Sequence, residues 1–565
     1  KIRFLSTKKW SLHCFMSLVQ QHLAQDMLSR IDALNAWLRR KGVILEVQKR
    51  FQEALIYSED PEGMKIFQDL ARVRTQLQKL IFAGPDKESF DVYKKRIADL
   101  RAEEERLEAK LSRVSQGFAL KKKIEKADCE KVAGALPPNT ALIEFARVAV
   151  YNFKAKAKEK RWKPAHYLAF ILHSGKGDRV GMIDLGVAEE IDNAVAELRE
   201  KISDIRDTKG VRTIRSCRKI YDLVFRPLKS ELGDVKEIFI SPDGNLNLIP
   251  FEILQQPDGR YLIEDYTFNY LAAGRDLLGF GQSSGQSKKA LLMGDPDFDM
   301  GAEEKKTTLR DLDLSQDEER PVSKRSIEMG RFRFGRLPGT REEVEAIFEL
   351  LGDNQADLYV GKKAVEQVIQ ETEAPAILHL ATHGFFLKDL SLGALANETW
   401  HRGIHPVAVI PGPAAKTMKI ENPLLRSGIA LAGANRTLES GEGGESDGIV
   451  TAEKILGLKL QGTDMVVLSA CDTGVGEVKT GEGVFGLRRA FTQAGSRSLV
   501  MSMWNIPDQE TKELMVAFYE NILSGEMNRC QSLREAALRE MATVKERYGH
   551  TNPLYWGGFV FMGEP

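Results

Sequence analysis

The chain has no apolar run near the roughly 18 to 20 residues that cross a bilayer, and its start, Lys1-Ile2-Arg3-Phe4, has no apolar segment leading to a small-residue cleavage site. A soluble, cytoplasmic protein without a membrane partner is the expectation. An excess of one charge is missing too: 81 Lys+Arg stand against 81 Asp+Glu, so no global field favours nucleic acid, and no nucleic-acid partner is expected. Cysteine is scarce. The five residues at positions 14, 129, 217, 471 and 530 form an odd set with no Cys-x-x-Cys spacing, which argues against a disulfide framework and a structural zinc site and fits a reducing compartment. The chain opens on Lys rather than Met, so a fragment or processed product is expected.

Its 565 residues suggest about three or four folding units. Residues 1–130 are rich in Leu, Arg, Glu, Lys and Gln, with Leu70, Val73, Leu77 and Leu80 at helical spacing; a second run from Ile97 and Leu100 to Leu107 and Leu111 predicts an exposed helical hairpin. From Leu136-Pro137-Pro138 the pattern becomes α/β, with short apolar strands such as Tyr167 to Leu172, Glu237 to Ile240 and Ala290 to Met293. The Ser/Gly/Gln-rich stretch Gly281 to Ser287 reads as a linker, giving a first α/β lobe over 131–285 and a second over 286–565. Two stretches, Gly301 to Gly335 and Asn435 to Gly448, read as mobile loops.

In the second lobe, Thr340 three residues before Glu343 predicts a capping box opening a helix over Arg341 to Leu351. Strands are expected at Leu358 to Val360, Ile377 to Ala381, Ile429 to Ala432, Val466 to Ser469 and Leu499 to Met503. Helices are expected at Lys363 to Glu371, Gly483 to Ala494, Gln509 to Leu523 and Gln531 to Arg547. That alternation implies a mostly parallel sheet flanked by helices, with chemistry at the carboxyl ends of its strands.

Two strand ends carry reactive side chains. One strand runs into Thr382-His383-Gly384 and the other into Cys471-Asp472-Thr473-Gly474, so only folding could join His383 to Cys471, as neighbouring strands would. A free thiol has a pKa of about 8.5 and needs an imidazole to take its proton, after which the same imidazole can protonate a leaving amine. The N–H groups of Gly384 and Cys471 would serve as oxyanion donors. His379, inside an apolar strand, reads as a core histidine; a zinc site through His379 and His383 is disfavoured because that spacing suits a helix whereas Ile377, Leu378 and Leu380 mark a strand, and no His-Glu-x-x-His glutamate is present, so no metal or cofactor is expected. His401 and His405 lie in a Pro/Gly-rich loop and read as exposed. Gly481-Glu482-Gly483-Val484-Phe485-Gly486 matches a dinucleotide fingerprint but begins ten residues after Cys471, so it reads as a turn opening a helix. Asp295, Asp297 and Asp299 read as a solvated turn.

Five ordered blocks in the second lobe resemble CHAT domains: Leu337-Pro338-Gly339-Thr340-Arg341-Glu342-Glu343-Val344; Leu378 to Gly384; Asn422 to Gly428 with Leu431 to Asn435; Leu468 to Gly474; and Val500 to Trp504. Asn247 to Leu254 and Tyr270 to Arg275 resemble the amino half of that domain, so the resemblance covers about residues 135–565. CHAT domains are caspase-like cysteine peptidases commonly appended to tetratricopeptide repeats. The resemblance implies a caspase-like catalytic lobe over 286–565 preceded by a non-catalytic, pseudo-caspase-like lobe. It also implies a His383/Cys471 dyad hydrolysing a protein substrate through a thioester. Ser469, two residues before the nucleophile, would line the primary specificity pocket, with Asp472, Trp504, Asn505 and Asp508 around the cleft. Asp508 would favour a basic P1 residue, although a helix cap before Gln509 is an equal reading.

The amino-terminal region lacks a convincing 34-residue repeat period and reads as a remnant or cap of a helical array that would receive a regulatory protein partner. Latency and a bacterial defence setting are what the resemblance implies. A non-catalytic scaffold and a nucleotide-binding switch are the competing classes.

Overall fold

A computed structural model describes residues 2–42, 90–114, 127–156, 159–204, 206–281, 289–314, 333–386, 424, 427–440, 447–470, 477–479 and 483–565, with scattered positions between 65 and 80. Sixteen strands occur among them: β1 (Thr140–Tyr151), β2 (Trp162–His173), β3 (Val180–Val187), β4 (Glu237–Ser241), β5 (Thr267–Tyr270), β6 (Ala290–Pro296), β7 (Ala356–Gly361), β8 (Ile377–Ala381), β9 (Gly384–Phe386), β10 (Ser427–Ala430), β11 (Ile449–Thr451), β12 (Met465–Ser469), β13 (Glu477–Lys479), β14 (Gly483–Phe485), β15 (Ser498–Ser502) and β16 (Phe559–Gly563).

Eleven of these strands form one sheet in the order β3-β2-β1-β4-β5-β16-β15-β12-β8-β6-β7. The pairs from β1 through β4 and β5 to β16 are parallel, as are those from β15 through β12, β8 and β6 to β7. Only the β1–β2–β3 edge and the β15–β16 pair are antiparallel. The last strand of the chain, β16, therefore joins the strands of the two lobes across the expected boundary near residue 285, with Met562 opposite Tyr270. The linker stretch itself, 282–288, lies outside the described residues.

The central strands read as continuous apolar runs because both faces are covered. Along β1, Ala141, Ile143 and Phe145 face one core with the helices Ala188–Ile202 and Val211–Ile220. Leu142, Ala146 and Val148 face the other, against Met16, Val19, Leu34, Trp37 and Leu38. These five belong to the helices Ile2–His22 and Met27–Arg40, so residues 2–40 are a layer of the first lobe rather than part of a separate helical region. Each large apolar side chain so buried contributes about 1.5–3 kcal/mol. The layer is pinned by Lys41, whose ammonium reaches Glu144 at 2.6 Å and the Ser241 hydroxyl and carbonyl at 2.8 Å, all out of water. Of the expected hairpin, the described residues show Leu70 packed on Leu107 of the helix Phe90–Val114, and its connection lies outside them.

Several expectations are corrected. The segment near Ile429 to Ala432 forms β10, which lies outside the large sheet in a three-stranded antiparallel sheet ordered β11-β10-β9. Residues 483–485 are a strand paired with β13, and the helix starts at Leu487. The helix expected from Lys363 starts at Glu366. The predicted capping box is not formed: the helix is Pro338–Leu351, with Pro at its first position, and Thr340 and Glu343 are spent on tertiary bonds. Neither expected loop is all loop: Ala302–Asp311 and Ala434–Ser440 are helical, and 315–332 and 441–446 lie outside the described residues.

No described helix is long and apolar enough to cross a membrane.

Candidate active site

Strand β8 delivers His383. The strand is an apolar run between β6 and β12, and its register with β12 sets Ala381 opposite Ser469. His383 lies two residues after Ala381 and Cys471 two residues after Ser469. Cys471 and Asp472 themselves lie outside the described residues, as do His401, His405, Gly481 and Glu482. The frame leading to Cys471 is fixed, since the Ser502 hydroxyl at the end of β15 donates to the Ala470 carbonyl.

The His383 ring is 1% exposed and packs between Phe298 and Phe334, with ring centroids at 5.4 and 5.6 Å. Its Nε2 lies 2.8 Å from the Gly335 carbonyl oxygen, which can only accept, so Nε2 carries the hydrogen. The lone pair is then on Nδ1, which is buried and has no hydrogen-bond partner among the described residues. Burial pushes the pKa of the ring below its ordinary value, against the opposing effect of the Gly335 carbonyl. An imidazole that is neutral and has no partner for Nδ1 among the described residues can act as a general base.

Asn435 holds the Gly335 carbonyl in place. Its buried amide oxygen accepts from the Phe334 N–H at 2.8 Å, and its amide nitrogen donates to the Phe334 carbonyl at 2.9 Å and to Asp299 at 3.0 Å. Both backbone groups of the residue before Gly335 are thus clamped, and the ring of Phe334 is set against His383. Thr382 anchors the other side by donating to the Ala430 carbonyl at 2.5 Å.

Gly384 begins β9. The Ala430 N–H donates to the His383 carbonyl at 2.9 Å, so residues 383 and 430 are a hydrogen-bonded pair of the antiparallel ladder and Gly384 with Ile429 the next, non-bonded one. The Gly384 N–H therefore points away from β10, unused by that strand.

Below the strand ends runs a buried polar chain. Tyr519 bonds to His379 Nδ1 at 3.0 Å, His379 Nε2 meets Glu343 at 3.0 Å, and the second Glu343 oxygen accepts from Ser469 Oγ at 3.0 Å. His379 is thus a core histidine with both ring nitrogens satisfied, as expected, and Ser469 turns its hydroxyl towards the helix Pro338–Leu351. Trp504 is 2% exposed, its indole N–H donating to the Leu554 carbonyl at 3.0 Å, and Asn505 is half-buried. Asp508 is the first residue of the helix Asp508–Ser524, whose cap is Pro507; burial and the nearby Glu343 carboxylate raise its pKa. Gly339 leaves room for that side chain, since a Cβ there would come within 2.5 Å of Asp508 Cβ.

Of the three aspartates read as a solvated turn, Asp295 is instead part of β6 and buried. Asp295 is 1% exposed and has a left-handed backbone at φ 46°, unusual for a residue with a side chain. Its carboxylate takes Arg336 Nε at 2.9 Å and Arg341 Nε at 3.0 Å, and its N–H donates to Thr340. Gly335, Asn435, Glu343 and Asp295 were not predicted as part of the site. A backbone carbonyl carries no residue signature, and Glu343 resembles a capping residue.

Comparison with known proteins identifies a family model, two curated relatives and several solved structures that this chain is similar to. The CHAT domain model matches residues 215–564. The human tetratricopeptide repeat protein 28 is 26% identical over 388 residues, covering 66% of this chain and 14% of that protein; its mouse counterpart is 25% identical over 363 residues, covering 61% and 13%. The chain thus spans far less than half the length of these curated relatives. Among solved structures, the Saccharomyces cerevisiae separase–securin complex matches with a TM-score of 0.43 at 8% identity, covering 80% of this chain and 31% of that one. The Arg-specific cysteine proteinase gingipain R matches with 0.35 at 7%, covering 67% and 74%. With a family model spanning well over half of its length, the chain belongs to the CHAT domain family.

Proposed function

We propose that this protein is a caspase-like cysteine endopeptidase. His383 Nδ1 takes the thiol proton of Cys471 as the thiolate attacks the scissile carbonyl of a protein substrate. The N–H groups of Gly384 and Cys471 stabilise the oxyanion; losing one such donor costs roughly 100- to 1000-fold. His383 then returns the proton to the leaving amine, and water hydrolyses the thioester with the same imidazole as base. Asp508 attracts a basic P1 side chain, with Asp472 and Asn505 at the pocket, while Ser469 is committed to Glu343 beneath it. The amino-terminal helical residues receive a regulatory protein partner that controls the cleft.

The observation that carries this reading is the hydrogen bonding of His383: Nε2 lies 2.8 Å from the Gly335 carbonyl, and a buried Nδ1 with no partner among the described residues is left over two residues past β8, the strand paired with β12, which leads to Cys471. A mass-spectrometric census of new protein N-termini in cells expressing the wild type or Cys471→Ala tests it. Termini found only with the wild type, shifting away from basic P1 residues in Asp508→Asn, are expected. Identical termini in both cell lines would overturn the reading in favour of a scaffold.

A further inference from the structure

A cleft of about 420 Å³ opens beside the carboxyl ends of β6 and β7, lined by Arg336, Arg341, Lys362, Lys363, Asp297 and Leu358 among others. Its volume lies in the range of small-molecule sites. Four cations face a single carboxylate in its wall. Arg336 and Arg341 are aimed by the buried Asp295, which fixes their forks and neutralises one of the two charges. The other acidic groups sit at the rim: Glu304 meets Lys362 at 2.7 Å with both side chains 52% exposed, and Glu345 meets Arg341 at 3.4 Å. Exposed pairs of this kind are worth about 0–1 kcal/mol, so they yield to a multivalent anion that engages several cations together.

The cleft also abuts the candidate active site through one peptide link. Arg336 is in its wall, and the preceding residue, Gly335, supplies the carbonyl that fixes the hydrogen on His383 Nε2. Anything that competes with Asp295 for the Arg336 guanidinium pulls on the backbone that orients the His383 ring.

We propose that this cleft binds a small molecule through a diphosphate group and that occupancy shifts the hydrogen bond between Gly335 and His383. No nucleotide fingerprint is involved; the anion is held by side-chain forks and ammonium groups. The inference does not depend on peptidase activity, because both of its readouts are made on the folded chain without substrate.

Inorganic pyrophosphate is the probe, titrated calorimetrically into the full chain at constant ionic strength. Binding with a Kd below about 1 mM is expected, weakened at least about tenfold in the double variant Lys362→Ala/Lys363→Ala and unchanged in Lys219→Ala, an exposed lysine of the first lobe. The imidazole ¹⁵N resonances of His383, assigned by their loss in His383→Gln, should move on saturation in the wild type. No heat of binding, equal affinity in the double variant, or binding that leaves the His383 resonances in place would each overturn the proposal.

Discussion

Gly335 decides which nitrogen of His383 is free, and Asn435 decides where Gly335 sits. Replacing Asn435 by Ala leaves the N–H and carbonyl of Phe334 without their partner in a buried setting, a loss of about 1–3 kcal/mol for each orphaned group. The variant should unfold at lower denaturant, and the His383 ¹⁵N resonances should broaden or shift as the ring loses its fixed acceptor. Retention of both stability and resonances would show that the clamp is not needed. His383 was visible in the sequence because an apolar strand ended at a turn carrying an imidazole. Its acceptor was not, since every residue type carries a carbonyl. Asp295 was misread because three alternating aspartates resemble a solvated turn, whereas two arginines more than 40 positions later bury the first of them.

At the scale of elements, the helix Pro338–Leu351 is tied to β8 and β12 by one carboxylate. Glu343→Ala would strand His379 and Ser469 in the core, while Glu343→Gln keeps a hydrogen-bonding group of nearly the same shape. The alanine variant should lose several kcal/mol, about 1–3 for each unsatisfied group, with the glutamine variant in between, as read by urea unfolding. Similar losses in both would show that the charge, not the hydrogen bonding, is what matters.

The last two long helices offer a pH test. Glu540 of the helix Arg529–Tyr548 is buried beside Glu513 and Glu510, and burial first, then those carboxylates, push its pKa up to about 8. A carboxyl that binds its proton more tightly when folded adds stability fully present below its unfolded pKa, near 4.3, and lost as pH rises through the folded value. Glu540→Gln should therefore raise Tm more at pH 8.5 than at pH 5; an equal gain at both would contradict the shift. Strand and helix types were legible here wherever apolar periodicity ran over four or more residues, as in β8, β12 and β15. β14 was not, because a glycine-rich stretch ahead of a helix gives no period by which a three-residue strand could be recognised.

For the molecule as a whole, the continuous sheet matters more than the two-lobe pattern. β16, the last strand of the chain, inserts between β5 and β15, and one apolar core cluster contains residues of both lobes. The described core should therefore unfold in a single cooperative transition. Lys41→Ala, which strands Glu144 in the first lobe, should shift that whole transition by about 3–5 kcal/mol, whether it is followed by Trp37 in the first lobe or Trp504 in the second. Two separate transitions would contradict one shared core. Sequence alone placed residues 1–130 in a separate helical region, because an amphipathic helix has the same period whether it packs on a helix or on a sheet.

The central claim is that His383 acts through Nδ1 on the thiol of Cys471. Its most direct test is the pH dependence of Cys471 alkylation by iodoacetamide, followed by mass spectrometry of the peptide that contains it, in the wild type and in His383→Gln. The account predicts that the wild-type rate rises well below the ordinary thiol pKa of about 8.5 and exceeds the variant at least about tenfold near neutral pH, while the variant titrates as a free thiol. Superimposable profiles would show that His383 does not reach the sulfur, and the peptidase reading would fall.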